Sequence, residues 1–162
     1  MSKRALAVLS AILFTGASCV NDRTRANQDT VEAFIAVWNG ADDSALDTLL
    51  APDFRRVGDP LSESAEGIAA TRALVRKMRV DMPDLRVEVL DAIYTPDRAA
   101  IRWRLSGTDS GPGDFPPTGR HVVATGLSLM RFDDGRLGEE VSVLDGIRLL
   151  TQLGFTLVPP AP

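Results

Sequence analysis

Few side chains in this sequence can do acid/base work. Asp145 closes a run of alternating residues and precedes Gly146 and Ile147. A carboxylate carried into an apolar pocket loses solvation, its pKa rises, and it can remove a proton beside a carbonyl. The same residue can equally cap the helix that follows, where backbone N–H groups hold the carboxylate and lower its pKa. Glu139 shares period-two parity with Val141, Val143 and Asp145, so it is the candidate second pocket carboxylate, and Glu140 is expected to point away. His121 is the single histidine of the chain. It can relay a proton to Asp145 or sit solvated at a strand start beside Arg120. Arg102 and Arg104 oppose Ile101, Trp103 and Leu105 along one strand. They can hold a carboxylate or enolate, or belong to a solvent-facing or partner-facing sheet surface. Trp38, Phe34, Trp103 and Phe132 are either pocket walls or plain core, and Tyr94 is a candidate pocket hydroxyl.

Other chemistries find no support. There is no G-x-S-x-G elbow, no H-E-x-x-H and no phosphate-binding glycine loop. One cysteine and one histidine exclude a zinc site of the Cys/His type, and no metal or cofactor is expected. A formal charge of −4 argues against nucleic acid, whose phosphates need a basic patch.

The elements that must position these residues follow from periodicity. Asp29 or Thr30 can cap a helix running to about Asn39, with Val31, Phe34, Ile35 and Trp38 on one face. Asp43 or Ser44 starts a second short helix that buries Leu46, Leu49 and Leu50 and is broken at Pro52. A third covers roughly 66–82, with Ile68, Leu74, Val75 and Met78 as its stripe, and Pro83 ends it. From Leu85 the period changes to two. Strands are expected around Leu85–Val89, Ile101–Leu105, His121–Phe132 and Leu137–Leu144, with a long Gly/Pro loop over 107–119 and a tight turn at Asp133-Asp134-Gly135. A short helix over 147–153 closes the chain. Helices first and a meander afterwards imply an α+β domain with helices on one face of a curved antiparallel sheet.

The first residues read differently. Lys3 and Arg4, the uncharged run Ala5–Gly16 and the small residues leading into Cys19 form a secretory signal. The apolar run is shorter than the ~20 residues a bilayer requires. Small residues followed directly by cysteine resemble the lipobox of bacterial lipoproteins. The implied organisation is a signal peptide over 1–18, an acylated Cys19 with a polar tether to residue 28, and a domain over 29–157. The mature chain would then sit in the bacterial envelope, anchored to a membrane through lipid on Cys19. An ordinary signal peptide ending near Ala17 or Ser18 is the alternative. Loss of Lys3 and Arg4 takes the net charge from −4 to −6.

Trp38-Asn39 followed by Leu49-Leu50-Ala51-Pro52-Asp53-Phe54 resembles the opening of SnoaL-like polyketide cyclases, also called ester cyclases. Further matches are Met82-Pro83-Asp84-Leu85, Trp103–Gly107, Pro117–Arg120, Thr125-Gly126, Arg131-Phe132, Asp134-Gly135, Asp145 and Gln152-Leu153-Gly154. The resemblance implies the nuclear-transport-factor-2-like cone, with a bent sheet wrapped on helices, an apolar pocket at the wide end, and homodimers through the open sheet face. It also implies ring closure by intramolecular aldol condensation without cofactor or metal, with Asp145 as acid/base. Where members of the family often carry histidine, this chain has Arg55-Arg56-Val57, Asp109 and Glu139-Glu140-Val141. Three functions follow: a cofactor-free catalyst on a small apolar carbonyl compound, a lipid-anchored domain that only binds a small ligand, or a domain whose sheet face meets a partner protein.

Overall fold

In a computed structural model, which describes residues 15–113 and 116–158, the chain opens with α1 (Thr15–Trp38). The first 14 residues of the expected signal peptide lie outside that range. The helix does not wait for a cap at Asp29 or Thr30 but runs straight through the stretch read as a tether. Nothing in Asn21–Asn27 breaks a helix, and local bonds support it: Thr24 Oγ1 donates to the Val20 carbonyl at 2.9 Å and Gln28 to Glu32 at 2.8 Å. Asn27 is buried and donates to the Thr95 carbonyl at 2.9 Å, so the domain begins before residue 29. Farther along, Val31, Phe34, Val37 and Trp38 are buried. Edge-on contacts join Phe34 to Trp38 and to Phe54, with centroids 6.3 and 6.4 Å apart.

A 3-10 turn (Asp43–Ala45), capped by the Asp42 side chain, leads into the four-residue α2 (Leu46–Leu49). Pro52 does not end a helix, as expected from sequence, but lies in the first strand, β1 (Leu50–Gly58). The ladder is interrupted between Leu50 and Arg55, so the missing proline N–H costs no bond. β2 (Ala65–Glu66) is brief, and α3 (Gly67–Asp81) buries Thr71, Leu74 and Val75. The meander then runs through β3 (Arg86–Tyr94), β4 (Arg98–Thr108), β5 (His121–Asp133) and β6 (Arg136–Leu144). The chain reverses between β5 and β6 at Asp134 and Gly135, with φ of 47° and 80°, the mirror-type turn that suits strand twist. The last helix, α4 (Gly146–Leu153), stops at Gly154, whose φ is 102°.

The strands form one six-stranded sheet in the order β2-β1-β6-β5-β4-β3. β1 pairs with β6 in parallel, and the other pairs are antiparallel. The sheet is therefore mixed rather than purely antiparallel, because β1, absent from the sequence reading, enters it from the helical side. Its concave face carries the core, including Phe54, Ile101, Trp103, Leu105, Val122, Ala124, Met130, Phe132 and Leu137, against α1 and α3. The fold is α+β.

Candidate active site

Four polar residues from four neighbouring strands meet on the concave face: Arg56 of β1, Glu140 of β6, Ser128 of β5 and Trp103 of β4. Arg56 and Glu140 are register partners, their side chains only 7% and 4% exposed, and the guanidinium Nη1 donates to Glu140 Oε2. The other carboxylate oxygen accepts from Ser128 Oγ at 2.7 Å, and Ser128 Oγ accepts from Trp103 Nε1 at 3.0 Å. Arg56 also donates to the carbonyls of Glu63 (3.3 Å) and Ser62 (3.4 Å), and it stacks over Trp38, 5.2 Å from the ring centroid. Among the described residues, no fully buried side-chain nitrogen or oxygen lacks a partner. A buried ion pair persists only when its charges are matched and hydrogen-bonded in this way.

Around this centre the cone is nearly full. Two voids of about 50 Å³ flank Trp38, Arg56, Trp103 and Leu105, one toward Phe34 and Ile101, the other toward Leu61 and Met78. Each has room for a few waters, not for a drug-sized ligand. A larger space, about 410 Å³, opens between α3, the loop after β1, residues 109–113 and 116–118, and α4. Its apolar wall includes Leu61, Met78, Met82, Leu149, Leu153 and Phe155, and its polar wall Glu63, Lys77, Asp81, Asp109 and Thr118. Leu61, Glu63 and Met78 also line the second small void, so this mouth leads toward Arg56.

The mouth is held by short-range bonds. Asp59 accepts from the N–H groups of Leu61 (2.9 Å), Ser62 (2.8 Å) and Leu144 (2.7 Å). Burial pushes this carboxyl up, but those N–H groups and the Ser62 hydroxyl outweigh it and hold the acid below the usual carboxylate range. Glu63 adopts φ of 48°, a left-handed conformation uncommon for a residue with a side chain, and its carbonyl lies where a Cβ on Gly58 would meet it at 2.3 Å. Lys77 Nζ donates to Glu63 Oε1 at 3.0 Å and to Asp81 Oδ2 at 3.4 Å.

The residues singled out in sequence fall in separate places. Asp145 is exposed and caps α4, accepting from Arg148 N–H at 3.1 Å. It borders a shallow groove on the convex face with Arg102, Leu127 and Val143. Glu139 also lies on the convex face, 2.7 Å from Arg55, whose hydrogen bond holds its carboxyl below the usual range. The expected facing of Glu139 and Glu140 is thus reversed. Gly138 falls out of the ladder between the pairs Phe132–Leu137 and Arg131–Glu139, so parity flips there and Glu140 turns inward. His121 is exposed near Asp84 and Thr108, far along β5 from the carbonyl of Thr125 that binds Asp145 N–H. Tyr94 is half-buried beside α1 and lines none of these spaces; burial and then the charge of Glu32 raise its hydroxyl pKa. Arg102 points to the convex side, and Arg104 pairs there with Glu88. Trp38, Phe34 and Trp103 line the small void but chiefly fill the core. Cys19 is exposed on α1.

Sequence reasoning missed Arg56, although Phe54 and Arg56 share strand parity, which would have placed the arginine on the buried face. It also missed Glu63, Lys77 and Asp81, where only the i, i+4 spacing of the last two was visible. No group of three or more His, Cys, Asp or Glu among the described residues is placed to hold a metal ion.

A curved sheet closed over two helices, with a space for a small molecule at the open end, defines the nuclear-transport-factor-2-like class. The chain belongs to the SnoaL-like polyketide cyclase family, whose sequence model matches residues 28–153. TsrD from Streptomyces laurentii is 29% identical, with a TM-score of 0.71 over 80% of this chain and 96% of that one. IdmH from Streptomyces antibioticus, a candidate polyketide cyclase, is 28% identical, with a TM-score of 0.70 over 80% and 99%. A candidate SnoaL-like cyclase from Jannaschia Sp. CCS1 shares the fold at 24% identity, with a TM-score of 0.72 over 85% and 95%. Among curated proteins, none matches the sequence significantly.

Proposed function

We propose that the domain is a cofactor-free acid/base catalyst of the cyclase or isomerase type, acting on a small, largely apolar carbonyl compound held in the mouth. The observation that carries this reading is the 410 Å³ space with an apolar wall on one side and Glu63, Lys77 and Asp81 on the other. That size and lining suit a small-molecule site. Similarity to IdmH, a candidate polyketide cyclase, favours ring closure as the reaction type.

Glu63 is the carboxylate we assign as base. It would remove a proton from the carbon beside the carbonyl, and the resulting enolate carbon would attack a second carbonyl carbon of the same molecule. The new alkoxide would take the proton back from Glu63, so the ring closes with no net change in protons. Lys77, 3.0 Å from Glu63, would offset the negative charge that builds on the enolate oxygen. The alternative is a domain that binds without catalysis, favoured by the position of Asp145 as an exposed cap rather than a group inside the cone.

The test is exchange of the α-protons of small diketones and keto esters in D2O, followed by NMR. Exchange that is lost in Glu63→Gln and kept in Asp145→Asn supports the assignment. The opposite pattern moves the base to Asp145, and saturable binding with no exchange leaves a binding domain.

The same proposal includes export and lipid attachment at Cys19, supported by the order of charge, apolar run and small residues before it and by its exposure. Cys19→Ser should abolish lipid labelling and membrane retention; unchanged labelling removes the claim. Among the described residues, no helix is long and apolar enough to cross a membrane. We also propose a homodimer through the convex face, where Leu127, Leu129, Val141 and Val143 are exposed. Light scattering that reports a monomer would refute it.

A further inference from the structure

We propose that the mouth selects a ligand whose apolar body carries a positively charged head, such as an amine or a quaternary ammonium group, and rejects carboxylates. This rests on the mouth being the ligand site, as proposed above.

The cavity decides the body of the ligand. Leu61, Met78, Leu149 and Leu153 wall one side of about 410 Å³, enough apolar surface to cover a chain or ring system of moderate size. The charges on the other side decide the head. Among the described lining residues, Glu63, Asp81 and Asp109 supply three carboxylates, and Lys77 is the one cation. Lys77 is already shared between two of those three, at 3.0 and 3.4 Å, so it can offset a charge forming beside Glu63 but leaves the wall net negative. Among the described residues, each carboxylate keeps an oxygen beyond its bonds. Glu63 gives only Oε1 to Lys77, and Asp109 takes both Thr118 bonds on Oδ2.

An anion would normally recruit backbone N–H groups at such a rim. Among the described residues 109–113 they are occupied: Ser110 and Gly111 donate to the Asp81 carbonyl at 3.2 and 2.9 Å, and Gly113 donates to Gly111 at 3.0 Å. The loop lies so close to α3 that a Cβ on Gly111 would meet the Val80 carbonyl at 1.7 Å, which leaves no room to turn those groups outward without moving the loop. A cation therefore meets unspent acceptors, whereas a carboxylate meets a wall of net negative charge whose one described cation is already shared.

Three probes with one body isolate the head: octyltrimethylammonium, 1-octanol and octanoate, each titrated into the full chain by calorimetry at low salt. The expected order is cation, then alcohol, then carboxylate, with at least a roughly tenfold difference in Kd between the two charged probes. The gap should narrow at high salt and in Glu63→Gln and Asp109→Asn, while octanol binding stays within about twofold. Octanoate binding as tightly as the cation, with octanol also bound, overturns the charge inference and leaves the cavity reading intact. A preference unchanged in both variants overturns its assignment to the mouth. No binding by any of the three overturns the cavity reading and this inference with it.

Discussion

Replacing Glu140 by methionine should be among the most damaging single changes in the domain. The substitution keeps volume but leaves the Arg56 guanidinium, 7% exposed, with the two carbonyl contacts at 3.3 and 3.4 Å and the face of Trp38, and no countercharge. Arginine cannot shed its charge, so the variant carries an uncompensated buried cation, which costs about 3–5 kcal/mol. Ser128 also loses its 2.7 Å acceptor and has only Ser142 Oγ, 3.5 Å away, in its place. With a urea m-value of about 2 kcal/mol/M, the unfolding midpoint should fall by roughly 1.5–2.5 M. Arg56→Met strands a carboxylate instead, 4% exposed, and should also cost about 3–5 kcal/mol. The double variant Arg56→Met/Glu140→Met removes both charges and should lie within about 2 kcal/mol of the parent or above it. Urea titrations of the four proteins at pH 7 read all of this. Single losses under about 1 kcal/mol, the range of an exposed pair, would refute the reasoning, as would a double variant whose loss equals the sum of the singles.

Three further outcomes are expected. A Cβ on Gly126 would lie 2.2 Å from Trp103 Cζ2 and 2.5 Å from the Val143 carbonyl; Gly126→Ala should cost about 1–3 kcal/mol and shift tryptophan emission, and an unchanged spectrum would count against it. Asp145→Ala removes a helix cap and should cost about 1 kcal/mol by thermal melt, whereas Asp145→Ser should recover most of that loss. Because its backbone bonds hold the Asp59 acid below its ordinary value, its contribution is present above about pH 4 and is lost as pH falls through the lower, folded value. Asp59→Asn should therefore be less stable than the parent at pH 7, with the gap closing toward pH 2; a constant gap would show that the charge plays no part.

Much of the scaffold was legible because burial and period coincide. α3 and α4 carry helical stripes that face the core and are found within a residue of their expected bounds. The β3–β6 meander and its turn follow from alternation and an Asp-Gly pair. What alternation cannot carry is a skipped residue. Gly138 leaves the ladder, and every parity argument beyond it inverts, which put Glu139, Val143 and Asp145 inside on paper and outside in space. β1 stayed hidden because Pro52 and two arginines break its apolar pattern, yet Arg56 is buried precisely where a charged partner from β6 meets it. The mouth was hidden for another reason: its walls come from α3, α4 and two loops distant in sequence, and only tertiary contact assembles them.

The unbroken run of α1 bears on how the domain would stand at a membrane. If Cys19 carries acyl chains, the eight residues from there to the buried Asn27 form a stiff post about 12 Å long, not a slack leash. A leash lets a domain tumble and scales only its reach. A post fixes bearing as well as height, because each residue along it turns whatever it supports by about 100°. The number of residues between Cys19 and Asn27 would then set which way the mouth faces, toward the lipid surface or away from it, and a single insertion there would re-aim the opening without touching any residue that lines it.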